Sequence, residues 1–308
     1  MRLSGRDYLS VDDLAPDELW GVLEFARHLK ARAAAGDRPP LLAGKTLAMV
    51  FEKPSLRTRV SFEVGMFQLG GMAVYLGPQD IQLGVRESVA DAARNLERMA
   101  DGIMARTFAH ATVVGLAESA GCPVINGLSD LEHPCQALGD LLTIIERFPR
   151  LSDVRIAWVG DGNNVCHSLI LGAAKLGLAL TVATPPGYAP SESIVARARA
   201  IASTTGAELA LTTDPGGAVQ DADVVYTDVW ASMGQEAERE ERARIFRPYQ
   251  VNATLLARAR LTTVVMHCLP AHRGEEITDD VLDGPRSIVY DQAENRLHAQ
   301  KALLAMIL

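Results

Sequence analysis

The chain of 308 residues is 48% apolar and 22% charged, with 30 Lys and Arg against 38 Asp and Glu. This is the composition of an ordinary folded protein with room for two domains, and it excludes a disordered, collagenous or disulfide-stapled chain. A net charge of −8 argues against a general nucleic-acid binder, and neither a bilayer span of about 18 uncharged apolar residues nor a signal peptide is legible, so a cytoplasmic protein acting on small molecules is expected.

Short β-branched runs alternate with longer amphipathic stretches, which predicts an α/β fold. In the first half, strands are expected at residues 46–51, 73–76, 102–106 and 124–126, with helices beginning near Leu56, Val89 and Thr112. A second series follows Phe148-Pro149-Arg150, with strands expected at 155–159, 179–183, 208–211, 223–226, 263–267 and 287–290. The reading is two open, mostly parallel-sheet α/β domains, residues 1–147 and 148–292, with the active site in the cleft between them. The apolar stretch from Ala293 to Leu308 is expected to form a helix that packs back on the first domain.

Ligands of open parallel sheets bind beyond the carboxyl ends of the strands. The positions directly after the expected strands are polar: 52–59, Gln82, Arg106-Thr107, 132–136, 161–164, 228–233, His267-Cys268 and 291–296. The cysteines Cys122, Cys135, Cys166 and Cys268 form no C-x-x-C pair and are expected to be reduced, the first three as small buried hydrophobes.

One helix start carries an electrostatic conflict. Ser55 is a good N-cap, Leu56, Val60, Val64 and Phe67 form an apolar stripe, and Gly70-Gly71 ends the helix. Yet Lys53, Arg57 and Arg59 crowd the first turn, where the helix dipole already disfavours cations. A bound phosphate resolves this, gripped by free backbone N–H groups, the Ser55 and Thr58 hydroxyls and guanidinium forks. The bland alternative is a solvated basic turn paired with Glu52 and Glu63.

Ser55-Leu56-Arg57-Thr58-Arg59 resembles the carbamoyl phosphate signature of the aspartate/ornithine transcarbamylase family, and His133-Pro134-Cys135-Gln136 resembles its H-P-x-Q element. Asp228-Val-Trp-Ala-Ser232-Met233-Gly234 and His267-Cys268-Leu269-Pro270 are similar to the amino-acid-side motifs of the ornithine-using branch. The resemblance implies transfer of the carbamoyl group from carbamoyl phosphate to the δ-amine of L-ornithine, giving L-citrulline and phosphate in arginine metabolism, without metal or organic cofactor. It implies that Ser55, Leu56, Arg57 and Thr58 hold the phosphate with Gln82 nearby. Arg106 would bridge phosphate and carbonyl oxygen, His133 and Gln136 would orient the carbamoyl group, and Cys268, Leu269 and Arg296 would complete the carbamoyl phosphate site. Asn164, Ser232 and Met233 would bind the α-amino and carboxylate groups of ornithine, and Asp228 and Cys268 would meet its side-chain amine. Arg57, Arg106, His133, Asp228 and Cys268 are the expected catalytic set. The resemblance also implies a homotrimer or an assembly of trimers, while the net charge and the lack of an apolar span argue against a nucleic-acid or membrane partner.

Other signals carry weaker readings. Val159-Gly160-Asp161-Gly162-Asn163-Asn164 resembles a dinucleotide-binding turn, the mark of a nicotinamide-dependent oxidoreductase, but its third glycine would fall at Val165. His267, Cys268 and His272 lack a standard zinc spacing. The charged run from Glu236 to Arg247 reads either as a solvated helix or, through the resemblance, as a mobile loop closing over ornithine. A transcarbamylase acting on another amine is the nearest alternative. A catalytically dead binding paralogue would be expected to have lost some of the five catalytic residues, and all five are present.

Overall fold

In the computed structural model, which describes residues 3–231 and 236–308, the alternating pattern builds two parallel sheets. The first contains β1 (Thr46–Phe51), β2 (Met72–Leu76), β3 (Gly102–Arg106) and β4 (Val124–Leu128) in the order β2-β1-β3-β4. The second contains β5 (Arg155–Val159), β6 (Ala179–Ala183), β7 (Glu208–Thr212), β8 (Val224–Thr227) and β9 (Val264–His267) in the order β7-β6-β5-β8-β9. All named strand pairs are parallel. The chain divides into two compact units, one running to Leu142 and including Glu294–Leu308, the other Thr143–Ala293.

The central strands are almost wholly apolar, as strands covered on both faces must be. Val50, Ile103, Ala105 and Val124 anchor one core cluster with Val113 and Leu116, and Val159, Val225 and Val265 anchor another with Ile277 and Val281. The edge strands β2 and β7 are more exposed.

Two expectations are corrected. Residues 287–290 form no strand: Ser287 makes a single bridge to Val265, and the final helix already begins at Val289 and runs to Ile307. The β-branched run Ile288-Val289-Tyr290 suggested a strand, but Asp291 in the first helical turn favours the helix through its dipole. Nor is the apolar stripe of helix Leu56–Gln68 its buried face. Thr58, Ser61, Phe62, Gly65 and Met66 face inward, while Leu56, Val60 and Phe67 are exposed. Close packing explains the choice: a side chain at Gly65 would lie 3.3 Å from Lys301 Cγ of the final helix.

In each sheet the strand order reverses direction once, between β1 and β3 and between β5 and β8. At such switch points adjacent connections leave on opposite faces and open a crevice at the carboxyl ends of the strands. The chain places Glu52–Arg59 and Arg106 at the first switch point, and Asp161–Asn164 and Asp228 at the second.

Candidate active site

At the first switch point, β1 runs into helix Leu56–Gln68 through Ser55, whose Oγ accepts from the Thr58 backbone N–H at 3.3 Å. No acidic residue stands in this first turn. Arg59 turns aside, donating to Glu63 at 3.0 Å and stacking 3.8 Å from the Tyr75 ring centroid. Glu52 is also diverted, accepting the Phe108 backbone N–H at 2.6 Å. The pairing that would have made this a solvated basic turn therefore reaches Arg59, while Glu52 serves the backbone.

Lys53 and Arg106 are buried here, and Arg57 is half-buried. Lys53 Nζ lies 4.9 Å from the Phe108 ring centroid, and burial, followed by the neighbouring Arg106 charge, lowers its pKa to about 8. His133 precedes helix Pro134–Arg147 and is 5% exposed. Burial holds its pKa well below the usual imidazole range, reinforced by Arg296, Arg106, Lys53 and Arg57. A neutral imidazole among four cations is the arrangement of a site prepared for an anion.

Arg296 enters from the final helix. It donates from Nη1 to Gln136 Oε1 at 2.5 Å and from Nη2 to Thr58 Oγ1 at 3.1 Å. Since a guanidinium can only donate, the Gln300 amide presents its oxygen to the Arg296 Nη2 and Nε atoms at 2.9 and 3.0 Å. One side chain thus ties the first turn of helix Leu56–Gln68 to the His133 helix. Leu56, the first helical residue, is 73% exposed. Gln82 sits apart in an exposed left-handed conformation (φ 44°), lining a cavity of about 300 Å³ with Phe51, Glu52 and Phe108.

The second unit assembles its own cluster. Asp228, just past β8, accepts from Cys268 Sγ at its Oδ1 and from Asn163 Nδ2 at its Oδ2, both at 2.7 Å. Asn163 also caps helix Asn164–Lys175, its Oδ1 accepting from the backbone of Val165 and Cys166. Asn164 stands beside it as the first helical residue, half-buried. Cys268 and Leu269 follow β9, and Leu269 occupies a left-handed conformation (φ 57°) that a branched side chain disfavours. His267 compensates: its Nδ1 accepts the Leu269 N–H at 2.8 Å, so its Nε2 carries the proton and donates to the buried Glu276 at 3.0 Å. Asp161 is raised to about pKa 6, chiefly by burial, against the pull of Arg242 at 3.1 Å. Arg242 belongs to helix Arg239–Phe246 within the charged run and also donates to the Trp230 carbonyl at 2.9 Å. Ser232 and Met233 lie outside the described residues.

The dinucleotide-like turn has a local explanation. A Cβ on Gly162 would lie 2.3 Å from Pro190 N, and the Gly162 N–H donates to the Tyr188 carbonyl at 3.0 Å. The glycine accommodates another stretch of this chain.

Two family models match the chain: the aspartate/ornithine carbamoyltransferase carbamoyl-P binding domain over residues 6–146 and the Asp/Orn binding domain over residues 152–307. The chain belongs to the aspartate/ornithine carbamoyltransferase family. Among its relatives, an ornithine carbamoyltransferase of Pyrococcus horikoshii is 56% identical over 306 residues, covering 99% of this chain and 96% of the relative. The solved ornithine carbamoyltransferase of Pyrococcus furiosus matches with a TM-score of 0.97 at 56% identity, covering 100% of this chain and 98% of that one. The Giardia lamblia ornithine transcarbamoylase structure matches with a TM-score of 0.89 at 34% identity, covering 98% and 97%.

Within this carbamoyltransferase, sequence reasoning passed over three residues that the structure brings to the two clusters: Asn163, Glu276 and Asp140, the last of which accepts from Gln136 Nε2 at 2.8 Å. Lys53 was named only as a misplaced helix-start cation and not among the binding residues; the N-cap preference of asparagine could have found Asn163, whereas Asp140 and Glu276 left no local signal.

Lys53 gives a pH prediction. If carbamoyl phosphate binds the protonated lysine, a pKa near 8 in the free enzyme makes affinity fall as pH rises through that value, by about eightfold between pH 7.5 and 9. Calorimetric titration at several pH values should show this decline in the wild type and a flatter profile in Lys53→Met. A flat wild-type profile would remove Lys53 from the site.

Proposed function

We propose that the first unit binds carbamoyl phosphate, the second binds L-ornithine, and the enzyme transfers the carbamoyl group to the ornithine δ-amine, releasing L-citrulline and phosphate. The observation that carries this reading is the helix start at the β1/β3 switch point, where buried cations and a serine cap meet without an acidic residue in the first turn.

In this mechanism Ser55, Leu56, Arg57 and Thr58 supply hydroxyl, backbone and guanidinium donors to the phosphate, and Gln82 joins them. Arg106 spans phosphate and carbonyl oxygen. The neutral His133 donates from a ring N–H to that oxygen, while Gln136 and the Cys268-Leu269 segment hold the carbamoyl amide. Asn164, Ser232 and Met233 bind the amino-acid end of ornithine, and the charged run from Glu236 to Arg247 closes over it.

An alkyl ammonium with a lysine-like pKa near 10.4 is a nucleophile only after losing its proton, a handicap of roughly 4 kcal/mol near neutral pH. The Cys268 thiol donates to Asp228, leaving sulfur lone pairs to accept an amine N–H and aim the nitrogen lone pair. Asp228 takes the first proton from the ammonium, directly or through the thiol, and the second amine proton leaves the nitrogen of the tetrahedral intermediate for the departing phosphate. Attack on the carbonyl carbon places negative charge on its oxygen, where Arg57, Arg106 and His133 stabilise it. Collapse of the tetrahedral intermediate expels phosphate into the cationic turn.

The homotrimer belongs to the same proposal. Leu56 (73% exposed), Phe67 (79%) and Met72 (58%) leave the helix Leu56–Gln68 and edge strand β2 with apolar surface of the kind that subunit contacts cover. No helix among the described residues is long and apolar enough to cross a membrane. A cytoplasmic setting suits Cys268, which must stay a thiol to donate to Asp228.

The test is citrulline formation by purified enzyme with carbamoyl phosphate and L-ornithine, beside aspartate, putrescine and N-acetylornithine. Product with ornithine alone is the expected result. Turnover with another amine would reassign the second unit, and none with any amine would sink the proposal.

A further inference from the structure

Gln136 carries an amide that could face substrate with either end, and the two ends do opposite things. Its oxygen accepts hydrogen bonds and its nitrogen donates them. Carbamoyl phosphate differs from acetyl phosphate by bearing –NH2, two donors, where acetyl bears a methyl group. An amide oxygen turned toward that position selects the carbamoyl group, and an amide nitrogen turned there would oppose it.

The surroundings of Gln136 settle which end is which. Arg296 Nη1 meets one end at 2.5 Å, and a guanidinium has no acceptor, so that end is the oxygen. The other end donates to Asp140 Oδ1 at 2.8 Å, one helical turn further along Pro134–Arg147. Gln136 is 1% exposed and Asp140 is fully buried, so neither bond is exchanged for water at low cost. The Gln136 oxygen retains a second lone pair, and it sits on the guanidinium that also holds Thr58 of the phosphate turn.

We infer that Asp140 is a specificity-determining positioning residue: by accepting a Gln136 amide N–H it keeps the Gln136 oxygen facing the carbamoyl –NH2, and so lets the enzyme distinguish carbamoyl phosphate from acetyl phosphate. This rests on the carbamoyl phosphate reading of the first unit. Asp140 touches no reacting atom and acts through Gln136. Without its acceptor, the Gln136 amide is held only by the Arg296 bond at its oxygen, and rotation of the amide plane about that single bond takes the oxygen's second lone pair off the carbamoyl –NH2.

The experiment compares calorimetric binding of carbamoyl phosphate, acetyl phosphate and inorganic phosphate to the whole enzyme. The wild type should bind carbamoyl phosphate at least about tenfold tighter than acetyl phosphate, the worth of a well-made hydrogen bond. Asp140→Leu, which removes the acceptor while keeping the branching at Cγ, should lose about tenfold in carbamoyl phosphate affinity while inorganic phosphate binding stays within twofold. Asp140→Asn, which keeps an acceptor oxygen, should retain the discrimination. A uniform loss for all three ligands in Asp140→Leu would reduce Asp140 to general packing, and equal loss of discrimination in both variants would assign the effect to charge. Either overturns the inference. If Asp140→Leu does not fold, the wild type still decides, since parity between carbamoyl and acetyl phosphate overturns the inference while leaving the phosphate site standing. Absence of binding by all three ligands would instead overturn the functional reading on which it rests.

Discussion

Replacing Arg106 with alanine is expected to lower kcat/KM by about a thousandfold, the upper range for deleting one donor aimed at developing oxyanion charge. The side chain sits at the carboxyl end of β3, 5% exposed, beside the switch point and among like charges. Those neighbours make the effect separable from folding. Arg106 pushes down the pKa values of both Lys53 and His133, so its removal relieves electrostatic repulsion at the site in the absence of ligand. The thermal midpoint should accordingly change little, and Arg106→Met should behave like the alanine variant while filling more of the space. A second readout follows from the same coupling: the Lys53-dependent fall in carbamoyl phosphate affinity should move above pH 8 in the variant. Near-normal turnover in Arg106→Ala would refute the assigned role.

Asp228→Asn is expected to reduce kcat/KM for ornithine by about a hundredfold or more, within the range for removing a general base, with carbamoyl phosphate binding unchanged. The carboxylate accepts from Cys268 on one oxygen and from Asn163 on the other, both at 2.7 Å. An amide has one acceptor atom and one donor group, so it must confront one of these donors with its own –NH2. It also removes the negative charge facing the incoming ammonium. Cys268→Ser, which keeps a donor to Asp228, should cost less and act chiefly on ornithine. Steady-state kinetics with each substrate varied in turn, alongside calorimetry for carbamoyl phosphate, separate these outcomes. An unchanged ornithine response in Asp228→Asn would take the aspartate out of the mechanism.

The two clusters were legible in the sequence to different depths. The cationic turn is contiguous, and its cap, its cations and its missing acid all lie within a few residues of Ser55, so local physics exposes it. Asp228 and Cys268 stand 40 residues apart, and only their motifs pointed to them before the structure joined them by a hydrogen bond. Lys53 could be seen, but its depressed pKa could not, because burial and the approach of Arg106 come from a different strand. The stripe of helix Leu56–Gln68 shows the reverse failure. Periodicity correctly marks Leu56, Val60 and Phe67 as sharing a face, yet which face turns inward depends on the final helix, whose Lys301 packs on Gly65.

What the sequence determined by itself is whatever neighbours within a few positions decide: the alternation of strands and helices, the Ser55 cap, the cationic first turn and the H-P-x-Q helix start. The tertiary structure decided the strand orders that open a crevice at β1/β3 and at β5/β8, and the reach of Arg296 to Thr58 across 238 residues and to Gln136 across 160. Capping and periodicity are set by short-range hydrogen bonding and sterics, which any stretch of chain carries with it. Strand order, burial and the shifts of Lys53, His133 and Asp161 depend on which apolar faces are buried together, and that is settled only when distant segments compete for the same core.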